Sequence, residues 1–331
     1  MITDCADTRL WNTPFSTLGG KTPRQWLAPE GSGGFMFHAY VKGTYGVRLM
    51  ENLLPWLNFG ADNMNPELLE YWRTRGIEKH RHANAEDPDR TWFAYLPIHR
   101  TKPDKPLPVW YINHVKNRDI LDTEAWGFVR YVAQRQILVI TAEDGNSEQI
   151  FQETLQAAEA LYPVDKSRIY ASGQSSGGMM SWACAAYRPD YFAAAAPFSA
   201  RHIDIEAVEH GSRERPPVEG SMIPIIANLG CCDAAFKGGF TQAQELVDYW
   251  CVRYGLTKRW ADYTYMDGGK NCSFKDGLVA HYVFETGDGV PMLHLTETDT
   301  KAHATWPSEC ESVWNGYFTK FSKDPVTKDL Y

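Results

Sequence analysis

Arg168-Ile169-Tyr170-Ala171-Ser172 followed by Gly173-Gln174-Ser175-Ser176-Gly177 and then Gly178-Met179-Met180-Ser181-Trp182-Ala183-Cys184-Ala185-Ala186-Tyr187 is the stretch whose reading decides the fold. The first piece reads as a short apolar strand, the second as a sharp turn, the third as a buried helix. A G-x-S-x-G pattern alone is weak evidence, since roughly one chain in ten of this length carries it by chance. A strand before it and a helix after it make it a nucleophile elbow. The flanking glycines let the backbone turn sharply without Cβ clashes and leave room for a strained Ser175 to present its Oγ above a sheet edge. The helix that starts there offers free amides and a positive dipole end to an anion beside that oxygen. The plain alternative is a strand packed closely on a helix, with Ser175 as its N-cap.

An elbow serine used for chemistry needs an acid and then a histidine further along the chain. Ile223-Pro224-Ile225-Ile226-Ala227-Asn228-Leu229 reads as a buried strand running into Gly230-Cys231-Cys232-Asp233. Asp233 therefore stands at a strand's carboxyl end, where functional groups of open α/β sheets collect. A turn or helix-capping aspartate is the alternative. Asp248, within the amphipathic run Gln242 to Tyr254, fits a solvated helix face, and Asp262 and Asp267 flank a loop. Only His281, His294 and His303 follow Asp233. The first two lie in strand-like runs, Leu278 to Phe284 and Pro291 to Leu295, joined by Gly287-Asp288-Gly289. His303 instead sits in a loop before a last helix, Glu309 to Ser322, and is the expected base. His114, after the strand Val109 to Asn113, precedes the serine and is misplaced for that order.

The rest of the chain alternates strand and helix. From Thr91 the reading is strand Pro108 to Asn113, helix near Thr123 to Gln134, strand Ile137 to Thr141, helix Ser147 to Leu161, then the elbow. Strands Phe192 to Phe198 and Met222 to Leu229 and the helix Gln242 to Tyr254 follow. Such a rhythm predicts a mostly parallel, doubly wound α/β sheet with helices on both faces. Residues 1–89 differ in texture, with Gly31-Ser32-Gly33-Gly34 and a helical run from Pro66 to Gly76. They are expected to form an amino-terminal extension packed on a catalytic domain spanning 90–331. Four tryptophans, Trp11, Trp26, Trp56 and Trp72, fall in that extension. Packing onto the main body is favoured over an aromatic substrate platform, because large rings supply buried area where regular structure is scarce.

Composition bounds the function. With 331 residues, 44% hydrophobic and 22% charged, the chain can bury a sizeable core. Its net charge of −8 and the lack of a Lys/Arg cluster argue against nucleic acid or anionic membranes as partners. Neutral small-molecule or oligomeric substrates suit it better. The start Met1-Ile2-Thr3-Asp4-Cys5-Ala6-Asp7 has neither a basic segment nor an apolar stretch, and no later run reaches membrane-spanning length, so a cytoplasmic location is expected. Secretion with a leader removed stays open. Cysteines at 5, 184, 231, 232, 251, 272 and 310 lack metal-ligand spacing and read as mostly reduced thiols.

The run Pro163-Val164-Asp165-Lys166-Ser167-Arg168 into the elbow, and then Tyr187-Arg188-Pro189-Asp190-Tyr191-Phe192-Ala193-Ala194-Ala195-Ala196-Pro197, resembles the α/β-hydrolase serine esterases that group polyhydroxybutyrate depolymerases with feruloyl and acetylxylan esterases. The likeness extends from about Arg90, where Thr91-Trp92-Phe93-Ala94-Tyr95-Leu96-Pro97 is similar to the family's opening strand, through Trp314 to Ser322, its closing helix. What the resemblance implies is a secreted or intracellular serine esterase with Ser175, Asp233 and His303 at the triad positions and no metal or organic cofactor. It also implies an oxyanion hole built from the amide of Ser176 and one from the loop after the second strand. Where the family has His-Gly, this chain has Asn113-His114-Val115-Lys116, so the second amide is expected from Val115 or a neighbour. Trp306-Pro307 stand one place further along than in many depolymerases. Trp306, His114 and Gln174 are the expected substrate contacts. A serine peptidase of similar fold and a non-catalytic binding module remain the alternative readings.

Overall fold

The computed structural model describes residues 64–331 apart from 86, 114–122, 125, 144–146, 201–221, 231–232, 234–238, 257–271, 299–300, 302 and 304. Helix α1 (Pro66–Arg73) comes first. Asn65 caps it, its Oδ1 accepting the Glu67 amide at 2.8 Å, and Pro66 sits in the first turn, where the absent N–H has no partner to lose. Then follow β1 (Ile77–Ala83), β2 (Thr91–Pro97), β3 (Leu107–Asn113), α2 (Val132–Arg135), β4 (Leu138–Ala142), α3 (Glu148–Leu161), β5 (Val164–Gln174) and α4 (Ser176–Tyr187). The remainder is β6 (Ala194–Phe198), β7 (Ile225–Gly230), α5 (Gly239–Arg253), β8 (Phe274–Asp276), β9 (Val279–Glu285), β10 (Pro291–Thr298), α6 (Pro307–Gly316) and a 3-10 turn, Phe318–Lys320.

The strands form one sheet in the order β1-β2-β4-β3-β5-β6-β7-β10-β9-β8. The central strands β4, β3, β5, β6, β7 and β10 run parallel. An antiparallel pair closes each edge. Strands β3, β4, β6 and β7 are buried along their whole length because both faces are covered, which is why they read as continuous apolar runs. Alternate residues serve opposite cores: Ile169 and Ala171 of β5 pack with Phe151 and Leu155 of α3 and Trp182 of α4, while Tyr170 packs with Trp314 and Phe318. Tyr170 stacks on Phe318 at 4.5 Å and its hydroxyl donates to the Phe321 carbonyl at 2.8 Å, fastening the carboxyl-terminal segment beneath the elbow strand.

Across the expected 89/90 boundary β1 pairs along its length with β2, and Leu68, Trp72 and Ile77 are core residues. Trp72 does pack as structure, its indole N–H donating to Glu124 at 2.9 Å, whereas Trp11, Trp26 and Trp56 lie outside the described residues. Two sequence expectations need correction. The helix expected near 123–134 is interrupted among the described residues. Gly127 has φ +96°, which no helix accommodates, and a Cβ there would lie 2.7 Å from Pro307 Cα, so helix α6 presses the segment into turns. The closing helix also stops early, at Gly316, because Tyr317 turns its hydroxyl to the carbonyls of Ile225 and Pro291 and the chain continues as a 3-10 turn. Among the described residues no helix is long and apolar enough to cross a membrane.

Candidate active site

Strand β5 delivers Ser175 to the carboxyl edge of the sheet. The serine has φ 57° and ψ −119°, a left-handed backbone that costs a non-glycine residue about 1–3 kcal/mol and persists only where the surroundings enforce it. They do so here. The Ser175 amide donates to the Phe198 carbonyl at 3.0 Å across to β6, and the Ser175 carbonyl accepts the Met179 amide at 2.9 Å, the first bond of α4. Close approach explains the glycines. A Cβ on Gly173 would lie 2.5 Å from the Asn113 carbonyl oxygen, one on Gly177 would lie 2.0 Å from the same atom, and one on Gly178 would meet Ala200 Cβ at 2.6 Å. Strand β3, the elbow and β6 thus share a space that admits only hydrogen at these positions.

Polar groups beneath the elbow are matched. Asn113 Nδ2 donates to the Ser172 carbonyl at 3.1 Å and reaches Ser181 Oγ at 3.3 Å, Ser181 donates to the Gly177 carbonyl at 2.9 Å, and Trp110 donates to Ser172 Oγ at 2.7 Å. Sequence reasoning passed over Asn113 and Ser181 as supports. The one available signal was a serine inside an otherwise apolar helix, whose back-bond to the i−4 carbonyl is a familiar use of that residue.

Asp233 follows β7 and His303 follows β10, so the two stand with Ser175 at the carboxyl ends of strands within the parallel set β5-β6-β7-β10. His303 Nδ1 lies 3.0 and 2.9 Å from the two Asp233 carboxylate oxygens, and both residues are buried. An imidazole held this way carries its proton on Nδ1 and leaves Nε2 as the basic nitrogen. The rival histidines are elsewhere. His281 and His294 project from one face of β9 and β10, 2.9 Å apart, into a cavity of about 550 Å³ shared with Phe274, Tyr317 and Phe321. Burial first, then the neighbouring His281 and Lys320, hold His294 down at about 3, so it stays neutral. Asp248 is exposed on α5, as a solvated helix face requires, and Asp262 and Asp267 lie outside the described residues.

The other expected contacts divide. Ser176 is the exposed first residue of α4, so its amide is one of the unmatched donors of a helix start. His114 and Val115 lie outside the described residues. Gln174 is buried at 1% exposure, and neither of its side-chain amide atoms has a hydrogen-bond partner. Trp306 is buried, and its backbone N–H donates to Glu309 as the chain enters α6.

Comparison with known proteins agrees with this architecture. The profile of the prolyl oligopeptidase family matches residues 142–201, the segment from the end of β4 through the elbow to β6. Acetyl xylan esterase from Aspergillus awamori is similar in structure, with 15% identity over 72% of this chain and 99% of that one and a TM-score of 0.51. The chain has the α/β-hydrolase fold. A thermostable esterase aligns over 75% of this chain and 63% of its own length, with 16% identity and a TM-score of 0.45. The S954A feruloyl esterase module from Clostridium thermocellum, solved with sinapinate, aligns over 73% and 86% at 12% identity and 0.47. No curated protein sequence matches the chain.

Proposed function

We propose that this α/β-hydrolase is a serine carboxylesterase working through an acyl-enzyme, with Ser175 as nucleophile, His303 as base and Asp233 as the acid behind it. The observation that carries the reading is the buried contact of His303 Nδ1 with both Asp233 oxygens, in a chain whose elbow serine is held in a strained left-handed conformation. In the first half-reaction His303 Nε2 takes the Ser175 hydroxyl proton as Oγ adds to the ester carbonyl, and Asp233 stabilises the imidazolium. The carbonyl oxygen becomes an oxyanion received by the amides of Ser176 and Val115. The tetrahedral adduct collapses, the C–O bond to the alcohol breaks, and His303 returns the proton to that oxygen. Water repeats the sequence on the acyl-serine and releases the acid. The scheme uses no metal or organic cofactor.

Hydroxycinnamoyl, acetyl and hydroxyalkanoate esters are the proposed substrates, as small molecules or on an oligomer, in keeping with the resemblance to feruloyl, acetylxylan and polyhydroxybutyrate esterases. Gln174, one residue before the nucleophile, is one proposed contact; its side-chain amide is buried with no hydrogen-bond partner. His114 and Trp306 complete the proposed pocket. The match to the prolyl oligopeptidase profile favours a second reading, peptide-bond hydrolysis by the same groups. A panel of 4-nitrophenyl acetate, butyrate and 3-hydroxybutyrate, methyl ferulate and chromogenic peptide amides separates the two. The esterase reading expects turnover of the esters and none of the amides; the reverse pattern overturns it.

A further inference from the structure

The proposed role of His303 requires its imidazole to stay against Asp233, as its Nδ1 does at 2.9 Å, with Nε2 free for the nucleophile. Three of the described residues around His303 are tied to one side chain. Glu309, in the first turn of α6, accepts from Thr298 Oγ1 at 3.3 Å and pairs with Lys301 Nζ at 2.5 Å through Oε1. Its Oε2 accepts the backbone N–H of Trp306 at 2.9 Å. In sequence these partners lie five residues before His303, two before it and three after it. The Trp306 contact alone is half of an ordinary capping box. The Lys301 contact is not. Its ammonium is fully buried, and an amine placed there without a counter-charge is strongly unfavourable. The ion pair of Lys301 and Glu309 is thus a buried anchor that joins the chain two residues before His303 to α6.

We infer that Glu309 is a positioning residue for the catalytic base: its carboxylate clamps both flanks of the His303 loop, with Lys301 as the second half of the clamp. The inference rests on the proposed role of His303. Glu309 touches no reacting atom, so its removal lowers turnover by letting the imidazole wander from Asp233 and Ser175, and leaves ground-state substrate binding in place.

The test uses Glu309→Ala, Glu309→Gln, Lys301→Met and the double variant Glu309→Gln/Lys301→Met in the full chain. For 4-nitrophenyl acetate, Glu309→Ala is expected to lower kcat about 100-fold with KM within about threefold, the pattern of an interaction exerted on the transition state alone. Glu309→Gln keeps an acceptor for the Trp306 amide but strands the buried ammonium, so it is expected to be comparably impaired. The double variant removes the stranded charge and keeps that acceptor, and is expected to recover to within about tenfold of the parent. Hydrogen–deuterium exchange of the peptide spanning 299–306 supplies a readout independent of activity: faster in Glu309→Ala and Glu309→Gln, near the parent's rate in the double variant. A loop whose exchange is unchanged in Glu309→Gln, or a loosened loop with kcat within twofold of the parent, overturns the clamp. A parent that turns over no substrate refutes the proposed function, and the exchange rates still decide whether Glu309 holds the loop. Should Glu309→Ala not fold, Glu309→Gln and the double variant carry the comparison.

Discussion

His303 Nδ1 faces both carboxylate oxygens of Asp233, at 3.0 and 2.9 Å, across a gap of 70 residues in the chain and with both side chains buried. A single carboxylate shared in this way fixes the ring's tautomer and its plane together. Asp233→Asn is expected to fold normally and to turn over roughly 1,000- to 10,000-fold more slowly, because an amide favours the wrong tautomer and cannot stabilise the imidazolium. Asp248→Asn, on the exposed face of α5, serves as control and is expected to match the parent. Steady-state kinetics on the two purified variants check this; equal, mild effects would send the search to another acid.

The strain at Ser175 predicts a stability difference that activity does not show. Ser175→Gly and Ser175→Ala both remove the nucleophile, and both are expected to lose activity. Glycine adopts φ 57° freely and alanine does not, so Ser175→Gly is expected to be more stable than Ser175→Ala, by about 1 kcal/mol. Urea denaturation of the pair measures it, and equal stabilities would mean that the elbow is unstrained.

Close approach at the elbow predicts a contrast between two glycines. Gly177→Ala places a methyl group 2.0 Å from the Asn113 carbonyl oxygen, whereas Gly316→Ala at the end of α6 meets nothing within 4 Å. The first is expected to destabilise by several kcal/mol or to prevent folding, in the manner of an overpacked core. The second is expected to be neutral or stabilising by up to about 1 kcal/mol. Thermal melts of the two proteins decide it.

These two glycines also show what the sequence carried and what it could not. The elbow was legible because a strand, two tight glycines and a buried helix must occur in that order for the turn to exist. His303 stood apart because His281 and His294 already belonged to strand-like runs, now β9 and β10. The β1 strand was missed because its sequence, Ile-Glu-Lys-His-Arg-His-Ala, is that of an edge: polar on one face and closed only by pairing with β2. The break at Gly127 was hidden since it comes from contact with Pro307, 180 residues away in the chain, and local propensity holds no record of such a contact. Glu309 and Lys301 escaped notice for the same reason. In sequence each is an ordinary surface charge, and only the packed loop buries them together.

The paired histidines predict a pH effect on stability. In the folded chain burial lowers His294 to about 3, against an ordinary value near 6.5. Between those limits the unfolded chain binds the proton and the folded chain does not. Stability contributed at this site is therefore complete above about pH 6.5 and is lost as pH falls toward 3. His294→Gln removes the titrating group, so its stability is expected to fall less steeply than the parent's between pH 6.5 and 5, by a slope approaching one proton. Parallel curves from urea denaturation at several pH values would show that His294 titrates alike in both states.

The most direct test of the central claim is labelling with a fluorophosphonate probe, followed by mass-spectrometric location of the adduct and measurement of its rate in the parent, Ser175→Ala, His303→Ala and His281→Ala. The account predicts a single stoichiometric adduct on Ser175, none in Ser175→Ala, labelling slowed by at least about 100-fold in His303→Ala, where the general base is missing, and a rate near the parent's in His281→Ala. An adduct on another residue, or equal labelling rates in His303→Ala and the parent, would contradict it.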